Sequence, residues 1–184
     1  MKPITKTINN YIIEITHGYN FEKLKGQWLS VQAQQDLPFF LTWSWISCWI
    51  KTYNPNIVVV SATFENKTVA LGLLTCSDEN RHGFIKSRQY RLHQMGDPLL
   101  DQIWMEYNDF ICTPKHQIPA VNACINGLVS SDQEWDEIIL SMMSEKRTKD
   151  IIANFHNSQI IATNPCYAVN LQQINQDYLS TLQS

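Results

Sequence analysis

The densest run of groups able to do chemistry holds Asp97, Asp101, Glu106, Tyr107, Asn108 and Asp109. A carboxylate carried off a strand end into a cleft can act as a general base, taking a proton from an attacking amine or hydroxyl. Read as a strand over 105–111, the run divides by alternation: Glu106, Asn108 and Phe110 face one side, Tyr107, Asp109 and Ile111 the other. The alternative is structural: Asp97 and Asp101 cap turns, while Tyr107 and Phe110 fill the core. A second cluster is aromatic. Trp43, Trp45 and Trp49 could stack on a sugar or a base, but helical spacing makes Trp45 and Trp49 neighbours on one face, as in a core helix. Trp43 is the ring best placed to line a cleft, and it joins the six polar residues as a substrate-cleft candidate. A basic run, Arg81, Lys86, Arg88 and Arg91 with His82 and His93, suits either an anionic partner or a solvated strand face.

Other chemistries lack their residues. A coenzyme A pyrophosphate is usually held by backbone N–H groups of a glycine-rich turn at a helix start. The six glycines are never closer than eight positions, so no such turn exists, nor a Walker loop or dinucleotide fingerprint. This chain is therefore expected to hold no cofactor by itself. His17, His82, His93, His116 and His156 show no metal-ligand spacing, so no metal is expected. No GxSxG elbow is present. A net charge of −3 and 17% charged residues, without a basic stripe interleaved with aromatics, argue against a nucleic-acid partner. No apolar run approaches the ~20 residues of a membrane span, and no signal peptide is visible. Five scattered cysteines (48, 76, 112, 124 and 166) suit reduced, mostly buried thiols and a cytoplasmic location.

The elements that must position these groups follow from periodicity. A strand is expected over 11–16, then a helix capped by Asn20 with Leu24, Trp28 and Val31 in its apolar stripe. Thr42 caps a second helix with Trp45, Ile46, Trp49, Ile50 and Tyr53 on one face, stopped at Asn54-Pro55. Two β-branched runs, 57–64 and 68–75, form an antiparallel hairpin. Strands are expected over 83–93 and 108–113, a helix through Ile118, Val121, Ile125 and Leu128, and a strand over 135–142. A helix over 147–157, strands over 159–163 and 167–171, and a short terminal helix capped by Asn175 complete the series. One mixed α/β domain over 1–184, with some antiparallel pairing, accounts for this order.

The order of motifs resembles a known family. Pro38-Phe39-Phe40-Leu41-Thr42-Trp43-Ser44-Trp45-Ile46, then Trp49, is similar to the helix start near the amino terminus of CelD-like and FemAB-like GNAT acyltransferases. Leu92-His93-Gln94-Met95-Gly96 and Glu106-Tyr107-Asn108-Asp109-Phe110 resemble that family's L-x-x-x-G and D-Y-x-D-F segment. Trp135-Asp136-Glu137-Ile138 resembles its WDE-L strand. Tyr167-Ala168-Val169-Asn170-Leu171 and Tyr178-Leu179-Ser180-Thr181-Leu182 resemble its closing pattern. The resemblance implies an α+β domain with a GNAT-like, mixed but largely antiparallel sheet flanked by helices. It also implies that a second GNAT-like lobe follows the closing pattern and carries the acyl-CoA site, whereas this chain ends two residues later at Ser184. The expected partners are that second lobe, or another copy joined through the carboxy-terminal segment. The expected function is the acceptor-side lobe of an acyltransferase acting on an amine or hydroxyl, with a polysaccharide or cell-envelope precursor as a possible acceptor, not catalytic alone. The alternative is a non-catalytic recognition or assembly module of GNAT-like fold.

Overall fold

The computed structural model describes residues 3–81, 83–102, 105–131 and 135–165. The chain opens with β1 (Ile4–Ile8) and β2 (Tyr11–His17), an antiparallel hairpin. Its turn residues, Asn9 and Asn10, both have positive φ, as a two-residue turn of matching twist requires and as asparagine tolerates. Strand β1 is not among the elements expected from the sequence. Its core-side residues are only half-buried and its threonines are exposed, so its apolar alternation is weak.

Helix α1 (Phe21–Gln32) starts at Asn20, whose side chain accepts from Lys23 N, and buries Leu24, Trp28 and Val31 as expected. Helix α2 (Trp43–Tyr53) starts at Thr42 and ends at Asn54 in a left-handed conformation. Strands β3 (Ile57–Phe64) and β4 (Lys67–Arg81) form the expected hairpin over the positive-φ pair Glu65-Asn66. Next come β5 (Ile85–Leu92), the two-residue β6 (Ile111–Cys112), α3 (Gln117–Val129), β7 (Glu137–Ile139) and α4 (Glu145–Asn154). The sheet runs β1-β2-β3-β4-β5-β7, with β6 also on β4, and only the β5–β7 pair is parallel. Leu24, Trp28, Val31, Ile46 and Trp49 of α1 and α2 pack with Ile57, Leu71 and Leu73 on one face of it. On the other, Val121, Cys124 and Leu128 of α3 and Ile151 of α4 pack with Ile13, Val60 and Leu74. This is the mixed, largely antiparallel α+β architecture expected.

One feature of the sheet places the site. Strand β5 pairs with β4 as far as Leu92 opposite Leu74, and β6 then pairs with the same edge at Leu71 and Ala70. The two strands lie end to end, running in one direction, with the excursion 93–110 between them. His93 makes the junction. Its backbone N–H donates to Leu73 O, and its ring Nε2 accepts from Leu73 N.

Several expected elements are corrected. The strand over 105–111 does not form, and the one over 108–113 reduces to β6, because β5 and His93 already occupy the β4 edge beside them. Tyr107 takes a positive φ and is 52% exposed, so it does not fill the core. The strand over 135–142 shrinks to β7, and 159–163 forms no strand, with Ile160 and Ile161 exposed. Trp43 does not line a cleft: it is 8% exposed and packs on Trp28 and Phe21. Trp45, expected in the core, is half-buried among Phe39 and Phe40. Ile118, expected in the apolar stripe of α3, is exposed. Cys48 and Cys76 are exposed and Cys112 and Cys124 buried, so the described thiols divide evenly. His82, Cys166, the strand over 167–171, the Asn175 cap and the 178–182 segment lie outside the described residues.

Candidate functional site

The six polar candidates separate into two groups. Asp101 accepts from the backbone N–H groups of Met95 and Gly96, both at 2.7 Å, and Asp97 accepts from Leu99 N at 2.8 Å. These two carboxylates hold the turn after His93. Glu106 is exposed and stands outside the cleft described next. Tyr107, Asn108 and Asp109 line a cleft of about 220 Å³, closed on its other side by Gln35, Asp36 and Leu37 of the turn after α1. Gln117 at the start of α3 and Ser144 at the start of α4 also line it, with apolar surface from Pro38, Leu41, Phe110 and Cys112. The starts of α3 and α4 thus both border the cleft. A broader groove of about 470 Å³, across the 35–37 turn, has Asp36 as its only ionisable lining group.

Asp109 is the cleft carboxylate held in place. Its Oδ1 accepts from Phe110 N at 2.8 Å, and its Oδ2 accepts from Arg147 Nε at 2.6 Å. Arg147 also donates from Nη2 to the Gln117 carbonyl at 3.4 Å. Burial pushes the Asp109 carboxyl above the ordinary carboxylate range, and the Arg147 guanidinium offsets part of that rise. A carboxylate with a raised pKa is a better proton acceptor than an ordinary aspartate. Arg147, a residue the sequence reading took only as a helix start, comes to this carboxylate from 38 positions away.

Asn108 is fully enclosed. Its Nδ2 donates to the Leu92 carbonyl at 2.9 Å and the Ser141 carbonyl at 3.2 Å. Its backbone N–H donates to the Met142 carbonyl at 3.0 Å. Its Oδ1 lies 2.8 Å from His93 Nδ1. Because His93 Nε2 accepts from Leu73, Nδ1 must carry the proton and donate to Asn108. Burial pushes the His93 pKa down to about 4, so the ring is neutral and every polar atom of the pair is matched.

The line made by β5 and the segment leading into β6 is therefore joined repeatedly to the line made by β7 and the start of α4: β5 and β7 are paired strands, and just before β7 Asp136 exchanges two 2.8 Å hydrogen bonds with the Arg88 backbone. Gln89 Nε2 donates to Glu137 Oε2 at 2.8 Å, Asn108 reaches Ser141 and Met142, and Asp109 pairs with Arg147.

The basic run resolves into a solvated strand face. Arg88 pairs with Asp78 at 3.3 Å and Arg91 with Glu79 at 3.4 Å across the β4–β5 ladder, while His93 is in the core. Among the described residues no three His, Cys, Asp or Glu side chains come together as metal ligands, and no helix is long and apolar enough to cross a membrane.

With this geometry in view, the likeness to solved structures is informative about fold. The chain is similar to an aminoglycoside acetyltransferase from an uncultured soil metagenomic sample in complex with sisomicin. That match has 12% identity and a TM-score of 0.51, over 86% of this chain and 97% of that one. The same acetyltransferase in complex with trehalose gives 11% and 0.50 over the same shares. An acetyltransferase of Trypanosoma brucei gives 13% and 0.48, over 86% and 99%. Neither a family model nor a curated protein matches the sequence. The likeness is one of fold: a mixed, largely antiparallel α+β arrangement shared with the soil acetyltransferase.

Proposed function

We propose that this domain is the acceptor-side lobe of a GNAT-type acyltransferase of the CelD-like or FemAB-like kind, acting on an amine or hydroxyl in the cytoplasm. The observation that carries the reading is the Asp109 carboxylate, raised by burial, fixed by Arg147 and facing a polar cleft on an acetyltransferase fold. In this role Asp109 accepts the proton that the acceptor sheds as it attacks. Tyr107, exposed at the cleft rim, and Asp36 opposite it are the groups available to hold hydroxyl or ammonium substituents. A polysaccharide or cell-envelope precursor suits such a cleft, and the complexes of the soil acetyltransferase with sisomicin and trehalose make a saccharide acceptor a natural first trial. The acyl donor is supplied by a second lobe, so the domain is not catalytic alone.

A nuclear magnetic resonance titration of the full chain with glucosamine and, separately, glucose tests this. Saturable shifts at Tyr107, Asp109 and Gln117 with either probe are expected. Absence of saturable shifts at these residues with both probes would overturn the reading.

A second reading, a non-catalytic recognition or assembly module of the same fold, is favoured by the hydrogen bonds and the ion pair that join the two strand lines, since they leave little room for a donor. The readings part on Asp109. An acceptor-side lobe joined to its donor lobe transfers the acyl group, and Asp109→Asn loses that transfer while still binding the sugar, whereas a recognition module shows no transfer for the substitution to remove.

A further inference from the structure

The fold implies an acyl-CoA, and the residues present do not fit one. An acyl-CoA brings an extended arm whose amides need unpaired strand-edge N–H and C=O groups, and a pyrophosphate that needs N–H groups at a helix start. The place that could meet both needs is the gap between the β5–β6 line and the line leading from β7 into α4, beside the start of α3.

Here that gap is spanned. Asn108 spends its backbone N–H on Met142 O and its amide N–H groups on Leu92 O and Ser141 O. One residue further on, the Asp109–Arg147 pair crosses the same gap at 2.6 Å. The Arg147 guanidinium, beside the start of α3, is taken up by Asp109 and the Gln117 carbonyl. On the approach to α3 the basic groups are the exposed Lys115 and the half-buried His116, the latter held by the Tyr11 hydroxyl. Pro114 and Pro119 have no N–H, and no glycine lies between Gly96 and Gly127. We infer that Asn108 is a latch which, with the Asp109–Arg147 pair, holds the donor crevice of this fold closed, so that this chain does not take acyl-CoA. This inference does not rest on the acceptor reading, which stands or falls on sugar binding at the cleft.

The latch is built from neutral, fully matched hydrogen bonds on one residue, so a near-isosteric change can release it. In Asn108→Asp the side chain keeps an acceptor for His93 but loses both donors, leaving the Leu92 and Ser141 carbonyls unmatched. Two measurements on the full chain decide the matter. Calorimetric titration of the unaltered protein with acetyl-CoA is expected to show no binding tighter than about 100 μM, a free energy of roughly −5.5 kcal/mol; tighter 1:1 binding overturns the inference. Amide hydrogen exchange at residue 108, read as a ratio to Val60 in β3 so that global destabilisation cancels, is expected to quicken at least tenfold in Asn108→Asp. An unchanged ratio overturns the latch.

Discussion

Arg147 Nε donates to Asp109 Oδ2 at 2.6 Å, with the two side chains only 7% and 19% exposed. Removing one partner of such a pair leaves an uncompensated charge, and losses of about 3–5 kcal/mol are typical of buried cases. We expect Arg147→Met to lose toward the lower end of that range at pH 7. Asp109 already has a folded pKa above its unfolded one, and loss of the guanidinium raises it further. Stability linked to a raised carboxyl pKa is present at low pH and lost as pH rises through the folded value. The deficit of Arg147→Met is therefore expected to be smaller at pH 4.5 than at pH 7. Urea denaturation at both pH values checks this; an equal deficit at the two contradicts it.

His93 has the opposite sign. Its folded pKa is about 4 against 6.5 for an ordinary histidine. The unfolded chain therefore binds its proton first, and stability present above pH 6.5 is lost as pH falls towards 4. The gap corresponds to about 3 kcal/mol. The difference in stability between the unaltered protein and His93→Gln, followed from pH 7 to pH 4, is expected to shrink by that order. A constant difference would show that the ring is not held neutral.

The three tryptophans test the packing of α2. Trp43 and Trp49 are buried, while Trp45 is half-exposed against Phe39 and Phe40. Trp43→Ala and Trp49→Ala are each expected to cost about 3–5 kcal/mol and Trp45→Ala clearly less. Chemical denaturation of the three variants measures this; a Trp43 variant that loses less than the Trp45 variant contradicts it.

Gly72 backs the segment that carries the site. A Cβ there would stand 2.3 Å from Phe110 Cε1, on the residue directly after Asp109. Gly72→Ala is expected to push the Phe110 ring aside at a cost of about 1–3 kcal/mol and to disturb Asp109 with it. Thermal unfolding checks the cost, and altered amide shifts at Asp109 check the displacement.

The parts of this fold that sequence made legible are those set by local chemistry. Asn20 and Thr42 cap helices because their side chains match free N–H groups of the first turn, and the short 65–67 connection marked the β3–β4 hairpin because both its strands are β-branched. Tyr107, Asn108 and Asp109 stood out as a polar run and do line the cleft. Asp97 and Asp101 proved to be turn anchors, the alternative considered for them. What was not legible depends on competition between distant segments. The 105–111 run has the alternation of a strand, but its place on β4 goes to β5 and the His93 ring. Trp43 stands three residues before Ile46 and seven before Ile50, a core spacing, but the rings that enclose it, Trp28 and Phe21, come from α1 and could not be paired with it from local spacing. Arg147 gives no local sign that it will be buried, because its partner lies 38 residues earlier.

A cleft open to an acceptor beside a crevice closed to a donor can be tested in both halves by one titration series. Backbone amide shifts of the full chain would be followed first with glucosamine and then with acetyl-CoA added to the same sample. The account predicts saturable shifts at Tyr107, Asp109 and Gln117 with the sugar, and none at Asn108, Ser141 or Met142 when acetyl-CoA follows. Saturable acetyl-CoA shifts at Asn108, Ser141 and Met142 would contradict it.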